Sequence, residues 1–138
     1  GSVVTWGNPA NGGDSSLVSS LLQRDIAIVY SNRFAFAAVP TLQSKKYVAL
    51  WGGYNVGGQN VPSSITSQLI QIVSISATDD AFAAIDINNK VITWGASANG
   101  GDSSSVTSQL TNVVSISTTG TAFAALKSDG TVVTWGNS

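Results

Sequence analysis

The chain has 138 residues, a formal net charge of −1, 43% hydrophobic and 9% charged residues, and no histidine, cysteine or methionine. That much apolar surface excludes a charged disordered tail, and the near-zero charge excludes the basic footprint of a nucleic-acid or anionic-membrane binder. Without His or Cys there can be no Ser–His–Asp set, no Cys–His pair and no thiolate or imidazole zinc site.

Other exclusions are compositional. No apolar run reaches the ~20 residues that span a bilayer. Glutamate is absent, so the seven acidic residues are all aspartates. The basic residues Arg24, Arg33, Lys45, Lys46, Lys90 and Lys127 are scattered, and the Lys45–Lys46 pair reads as a solvated loop. No Asn-x-Ser/Thr sequon occurs. A low-charge surface rich in Ser, Thr, Asn and Gly suits an extracellular or cell-surface protein; the alternative is a cytoplasmic one.

The chain opens on "VVTWG" at Val3–Gly7, read as a strand. "NGGD" at Asn11–Asp14 follows as a glycine turn, then the apolar pair Val18/Leu22, four apart as on one helical face. "AFAAV" at Ala35–Val39 is a strand with small residues that leave room for a neighbouring sheet. "PTLQSKKY" is an insertion in a turn, and "VALWG" at Val48–Gly52 opens the second unit.

The second unit runs through Ile65/Leu69, the paired Asp79–Asp80 in a strand-to-strand turn, "AFAAI" at Ala81–Ile85 and the turn residues Asn88 and Asn89, and "VITWG" at Val91–Gly95 opens the third. Asn tolerates the left-handed region and fits such a turn. The third unit has "NGGD" again at Asn99–Asp102, Val106/Leu110, the alternating strand "NVVSIST" and the strand "TAFAALKS". "DG" at Asp129–Gly130 predicts a type I′ hairpin turn, and "TVVTWG" is then a third strand, antiparallel to the second.

Each linking segment is read as at most one helical turn, because Ser and Thr are poor helix formers; an extended fourth strand is the alternative. Asp102 or Ser103 could cap that turn. Asp14 and Asp102 are read as turn and cap residues in preference to a calcium site, which would need further oxygen ligands.

Three markers recur in fixed order, and the tryptophans at 6, 51, 94 and 135 return every 41 to 45 residues. This predicts internal repeats at 3–47, 48–90 and 91–131, with 132–138 as the first strand of a further repeat. Each unit is an antiparallel sheet that cannot bury both faces alone and must stack on copies of itself. The period suits a propeller blade. The expected fold is all-β: three antiparallel blades of three to four strands each. The "VVTWG" phrase at both ends suggests a piece of a larger assembly that continues the repeat.

"YNVGGQNVPSSITSQLIQIVSIS" at Tyr54–Ser76 and "AALKSDGTVVTWG" at Ala124–Gly136 resemble the two halves of the regulator-of-chromosome-condensation repeat, in its short bacterial form. The resemblance covers essentially the whole chain and implies a seven-bladed β-propeller. The sequence departs from the family where it usually has a Gly-rich stretch and a His. Here Phe36, Phe82 and Phe123 stand near that position, and only the middle repeat has the Gln-x-x-Val-Pro loop.

Candidate residues follow from this frame. Trp6, Trp51, Trp94 and Trp135, with Phe36, Phe82 and Phe123, are expected to pack between repeats. Asp129, Gly130, Asn88 and Asn89 are expected in turns. Tyr30, Tyr47 and Tyr54 are not repeated and are candidates for a specific contact. No catalytic, cofactor or metal residues are assigned. The expected function is a non-catalytic structural or protein-interaction scaffold whose partners are further copies of the repeat, with another protein or a glycan as additional ligand classes. A ligand-binding propeller module is the alternative, favoured if the tyrosines, Arg24 and Arg33 converge on one face.

Overall fold

The computed structural model describes residues 1–44 and 47–137. The Lys45–Lys46 pair, read as a solvated loop, lies outside the described residues, as does Ser138.

Three separate antiparallel sheets follow one another along the chain. The first holds β1 (Ile26–Ser31), β2 (Ala35–Pro40) and β3 (Ala49–Gly52); the second β4 (Ile72–Ala77), β5 (Ala81–Asp86) and β6 (Val91–Gly95); the third β7 (Val113–Thr118), β8 (Ala122–Lys127) and β9 (Val132–Gly136). Each is a simple meander with its Ala-Phe-Ala strand in the middle. Register places Phe36 opposite Trp51, Phe82 opposite Trp94 and Phe123 opposite Trp135. Every first strand carries an irregularity at the same place, between Ile26 and Ile28, Ile72 and Ser74, and Val113 and Ser115. Such bulges increase local twist.

The period of two along the middle strand decides the packing. Ala35, Ala37 and Val39 face the following sheet and share one core with its Phe82, Ala84, Ile92 and Trp94. Ala81, Ala83 and Ile85 do the same against Phe123, Ala125, Val133 and Trp135 of the third. Alanine on the face turned to the following sheet and large aromatics on the face turned to the preceding one let consecutive sheets pack closely. Burying each such aromatic contributes about 1.5–3 kcal/mol, so the seams carry much of the stability.

The linking segments form single turns: α-helical at Ser19–Leu22 and Ser63–Thr66, 3-10 at Thr107–Gln109. They deliver Leu69 and Leu110 into the two seams and Leu22 against Trp51 and Ala49 of the first sheet, and all three are buried. The linkers therefore add no fourth strand, and each sheet has three.

Three expectations are corrected. The "VVTWG" phrase closes a sheet: Val132–Gly136 is the third strand of the third sheet, antiparallel to β8 as "TVVTWG" predicts and paired to it from Leu126 to Ala122, so the repeat boundary expected before residue 132 is not a blade boundary. Val3–Gly7, with the same five residues, is not a strand, because no Ala-Phe-Ala strand lies beside it. The Asp129–Gly130 turn is not type I′ either. Only Gly130 has positive φ, at 85°. The Gly130 N–H donates to the Lys127 carbonyl at 2.9 Å and the Lys127 N–H to the Thr131 carbonyl at 2.9 Å. This is a three-residue loop with its last residue left-handed, the pattern of a G1 bulge. Asn89, at φ 60°, does the same in the second sheet, with Asn88 in the residue before it.

Candidate functional site: the seams and the two open blade faces

A repeated clamp ties each sheet to the linker before it. The Trp51 Nε1–H donates to the Gly12 carbonyl at 3.0 Å, Trp94 to Gly57 at 3.1 Å, and Trp135 to Gly100 at 3.0 Å. Each indole also stacks on its cross-strand phenylalanine with centroids 5.2 Å apart. Gly57 takes φ 98°, and a Cβ there would sit 2.5 Å from the Phe82 ring. The position therefore requires glycine on both counts.

Hydrogen bonds between the hairpin turns reinforce the seams. The Arg33 N–H donates to the Asp79 carbonyl at 3.1 Å, and the Asp79 N–H to the Gly120 carbonyl at 2.9 Å. Turn side chains also reach the following linker: Asn32 Nδ2 donates to the Val56 carbonyl at 2.5 Å and Thr78 Oγ1 to the Asn99 carbonyl at 2.9 Å. On the first strands, Ser76 Oγ donates to the Ile116 carbonyl at 3.1 Å.

The tryptophans divide three against one. Trp51, Trp94 and Trp135 are 3%, 2% and 7% exposed, whereas Trp6 is 84% exposed. The expectation that Trp6 packs between repeats is corrected for the reason given for its strand. No phenylalanine stands opposite it to stack on. Phe82 and Phe123 are fully enclosed, while Phe36, at the front of the first sheet, is only partly covered.

This asymmetry defines two open faces. At the rear, Leu126 is 41% exposed where its equivalents Val39 and Ile85 are 3% and 5%. Val132 beside it is exposed as well, and Ala122 and Ala124 are only partly covered. At the front, Val3, Thr5, Gly12, Val29, Phe36 and Trp51 line a largely apolar cavity of about 420 Å³. Val29 is exposed there, whereas its equivalent Ile75 is buried in the first seam.

The non-repeated tyrosines do not gather. Tyr30 is half-buried against the first seam. Tyr47 lies before the start of β3, bridged to Ile70, and Tyr54 beyond its end, bridged to Gln59. Seven residues of extended chain separate their ends by roughly 20 Å. Arg33 sits in the β1–β2 turn and Arg24 before β1, so the two arginines also fall at opposite ends of the sheet.

The aspartates work as turn formers. Asp14 Oδ1 accepts the Ser16 N–H and Asp102 Oδ1 the Ser104 N–H, both at 2.9 Å, and these bonds with the serine hydroxyls hold both carboxyls below the usual carboxylate range. Asp129 is lowered first by the Thr131 hydroxyl and then by the Thr131 N–H. Asp80 Oδ2 accepts from Asn99 Nδ2 at 2.8 Å. Among the described residues no three His, Cys, Asp or Glu groups lie together as a metal cluster. No described helix is long and apolar enough to cross a membrane.

Solved structures of the same shape exist. Prp20p from Saccharomyces cerevisiae, described together with its binding properties to Gsp1p and histones, matches with a TM-score of 0.55 at 19% identity, over 80% of this chain and 30% of that one. Yeast RCC1 (Prp20) in complex with Kap60 matches with a TM-score of 0.56 at 19% identity, over 80% of this chain and 29% of that one.

The three sheets are RCC1-like propeller blades.

At this identity the likeness is one of fold, and the chain spans about 30% of the length of these relatives. Neither a protein-family model nor a curated protein matches the sequence. Sequence reading treated the Gly-Gly of each linker only as a turn. Its recurrence ahead of every Phe–Trp pair, at Gly12, Gly57 and Gly100, was the available signal for the clamp.

Proposed function

We propose that this chain is a non-catalytic protein-interaction scaffold, part of a larger array or ring of RCC1-like blades that works outside the cell or at its surface. One observation carries the reading: both ends present a blade face whose internal counterparts are buried. At the rear, Leu126 and Val132 are uncovered where Val39, Ile85 and Val48 are buried, and at the front Val29 is exposed and Phe36 only partly covered where Ile75 and Phe82 are buried. Exposed blade faces and strand edges invite further repeats. The sequence has no His or Cys with which to build the common nucleophilic or acid–base sets. Of the similar structures, Prp20p is described with binding properties to Gsp1p and histones and yeast RCC1 with Kap60 bound, so proteins that contain this fold bind other proteins. The low charge and the Ser, Thr, Asn and Gly content support the extracellular placement.

The test is to append a further blade in the same polypeptide, by repeating residues 96–137 after Gly136. The reading expects a higher melting temperature and slower amide exchange in β8, because Leu126 and Ala124 become enclosed. An unchanged or lowered melting temperature would contradict it.

The ligand-binding alternative is disfavoured by the scattered tyrosines. A glycan bound by the chain and lost in Tyr54→Ala would restore it.

A further inference from the structure

We infer that the rear face of the third blade docks on the front face of the first blade of a second copy, and that the N-terminal "VVTWG" segment of that second copy must leave its place for this to happen. The inference rests on the scaffold reading above and names the partner, the atoms and the segment that gives way.

The partner is specified by repetition. The same seam occurs twice within the chain, and each half of it recurs at one end. At the rear, Ala122, Ala124 and Leu126 occupy the positions that Ala81, Ala83 and Ile85 hold against the third blade. At the front, Val29 and Phe36 occupy the positions of Ile75 and Phe82. The wall of the front cavity formed by Gly12, Val29, Phe36 and Trp51 is where the rear-face side chains would pack, its other wall being residues 3–6, which give way.

Polar groups match in the same register. The Asp79 N–H to Gly120 carbonyl bond predicts a bond from the Gly120 N–H to the Arg33 carbonyl of the second copy. Ser76 Oγ to Ile116 predicts Ser117 Oγ to the second copy's Val29 carbonyl. Thr78 Oγ1 to Asn99 predicts Thr119 Oγ1 to its Asn11 carbonyl. Ser117, Thr119 and Gly120 are all exposed in the single chain.

One segment stands in the way. Residues 1–7 lie on the front of the first blade as a preceding third strand would. The Ile26 N–H donates to the Gly1 carbonyl at 3.0 Å, as the Val113 N–H does to Asn89. The Val3 N–H donates to Leu22 at 2.9 Å, as Val48 does to Leu69. Thr5 Oγ1 meets Ser15 Oγ at 2.8 Å, as Thr93 meets Ser103. In a docked pair, residues 130–136 of one copy and residues 1–7 of the next claim the same place. The two phrases are identical over Val3–Gly7 and Val132–Gly136, so the side chains do not choose between them. Pairing does: β9 is bonded to β8 along five residues and Trp135 is stacked and clamped, whereas Val3–Gly7 belongs to no sheet and Trp6 is exposed. β9 stays, the N-terminal segment is displaced, and Thr134 takes over the bond to Ser15. Such a contact is heterologous, so it builds chains or closed rings.

Sedimentation velocity over a range of concentrations tests this with three proteins. Leu126→Asp blocks the rear face and Val29→Asp the front; both residues are exposed, so folding is preserved. Each variant alone should lose association, while an equal mixture should form a two-chain complex and stop there, since only one intact pair of faces remains. A chain lacking residues 1–7 should associate at lower concentration than the full chain. A mixture that stays monomeric, or a truncated chain that associates no better than the full one, overturns the proposal. If it fails while the appended blade still raises stability, repeats join only within one polypeptide and the scaffold reading stands. If both fail, the scaffold reading falls too.

Discussion

The Trp94 indole N–H donates to the carbonyl of Gly57 at 3.1 Å, thirty-seven positions earlier in the chain, and this bond ties the second blade to the linker that precedes it. The indole has no water to fall back on at 2% exposure. The bond, the Phe82 stack and the burial against Ala35 and Ala37 coincide in one side chain. Trp94→Ala should therefore cost about 3–5 kcal/mol of unfolding free energy. Trp6→Ala should fall within about 0.5 kcal/mol of the parent, as exposed substitutions do. Urea unfolding of the two variants checks this, and equal losses would contradict it.

Gly57 contributes the other half of that contact. Gly57→Ala has to hold a side chain at φ 98° and move the Phe82 ring. We expect a loss of about 1–3 kcal/mol. Gly130→Ala, also at positive φ but with nothing near its Cβ, should cost less. Thermal melts of both variants rank the two effects, and the reverse order would show that the close approach to Phe82 is unimportant.

Stability should be flat between about pH 5 and 8, because no histidine titrates there. Asp14, Asp102 and Asp129 have carboxyl pKa values lowered in the folded chain. Their contribution is present above the unfolded value near 3.9 and is lost as pH falls through the folded values. All three are solvent-exposed, so the decline below about pH 4 should be shallow. A melting-temperature series against pH reads this directly; a step near pH 6 would contradict it.

Chelation should leave the melting temperature unchanged, and millimolar calcium should not raise it. The Asp14 and Asp102 carboxylates are engaged by Ser16 and Ser104, one carboxylate per turn. A calcium-dependent rise would reveal a bound native state and displace the turn assignment.

The blades were legible because their signals are local and recur three times. A β-branched run, an Ala-Phe-Ala run and a Trp-Gly run each report a strand, and residues 113–136 read correctly strand by strand. The behaviour of "VVTWG" was not legible, since the same residues form β9 at the end and no strand at the start. What differs is whether Phe123 and its neighbours lie alongside, a non-local fact that no window of sequence contains. The turn after Lys127 failed for a smaller reason: Asp-Gly signals a reversal but does not fix whether the loop has two residues or three. The Gly12, Gly57 and Gly100 carbonyls were missed because a backbone acceptor leaves no side-chain trace, only a recurring Gly-Gly.

Amide hydrogen exchange on the 138-residue chain, at the lowest workable concentration, tests most directly whether each blade is held by its neighbours and whether two faces remain open. The second blade is covered on both sides and the third on one. Protection should therefore be highest in β5, Ala81–Asp86, and lower in β8, Ala122–Lys127, with residues 3–7 exchanging fastest of the three. Equal protection in β5 and β8, or strong protection of residues 3–7, would contradict the account.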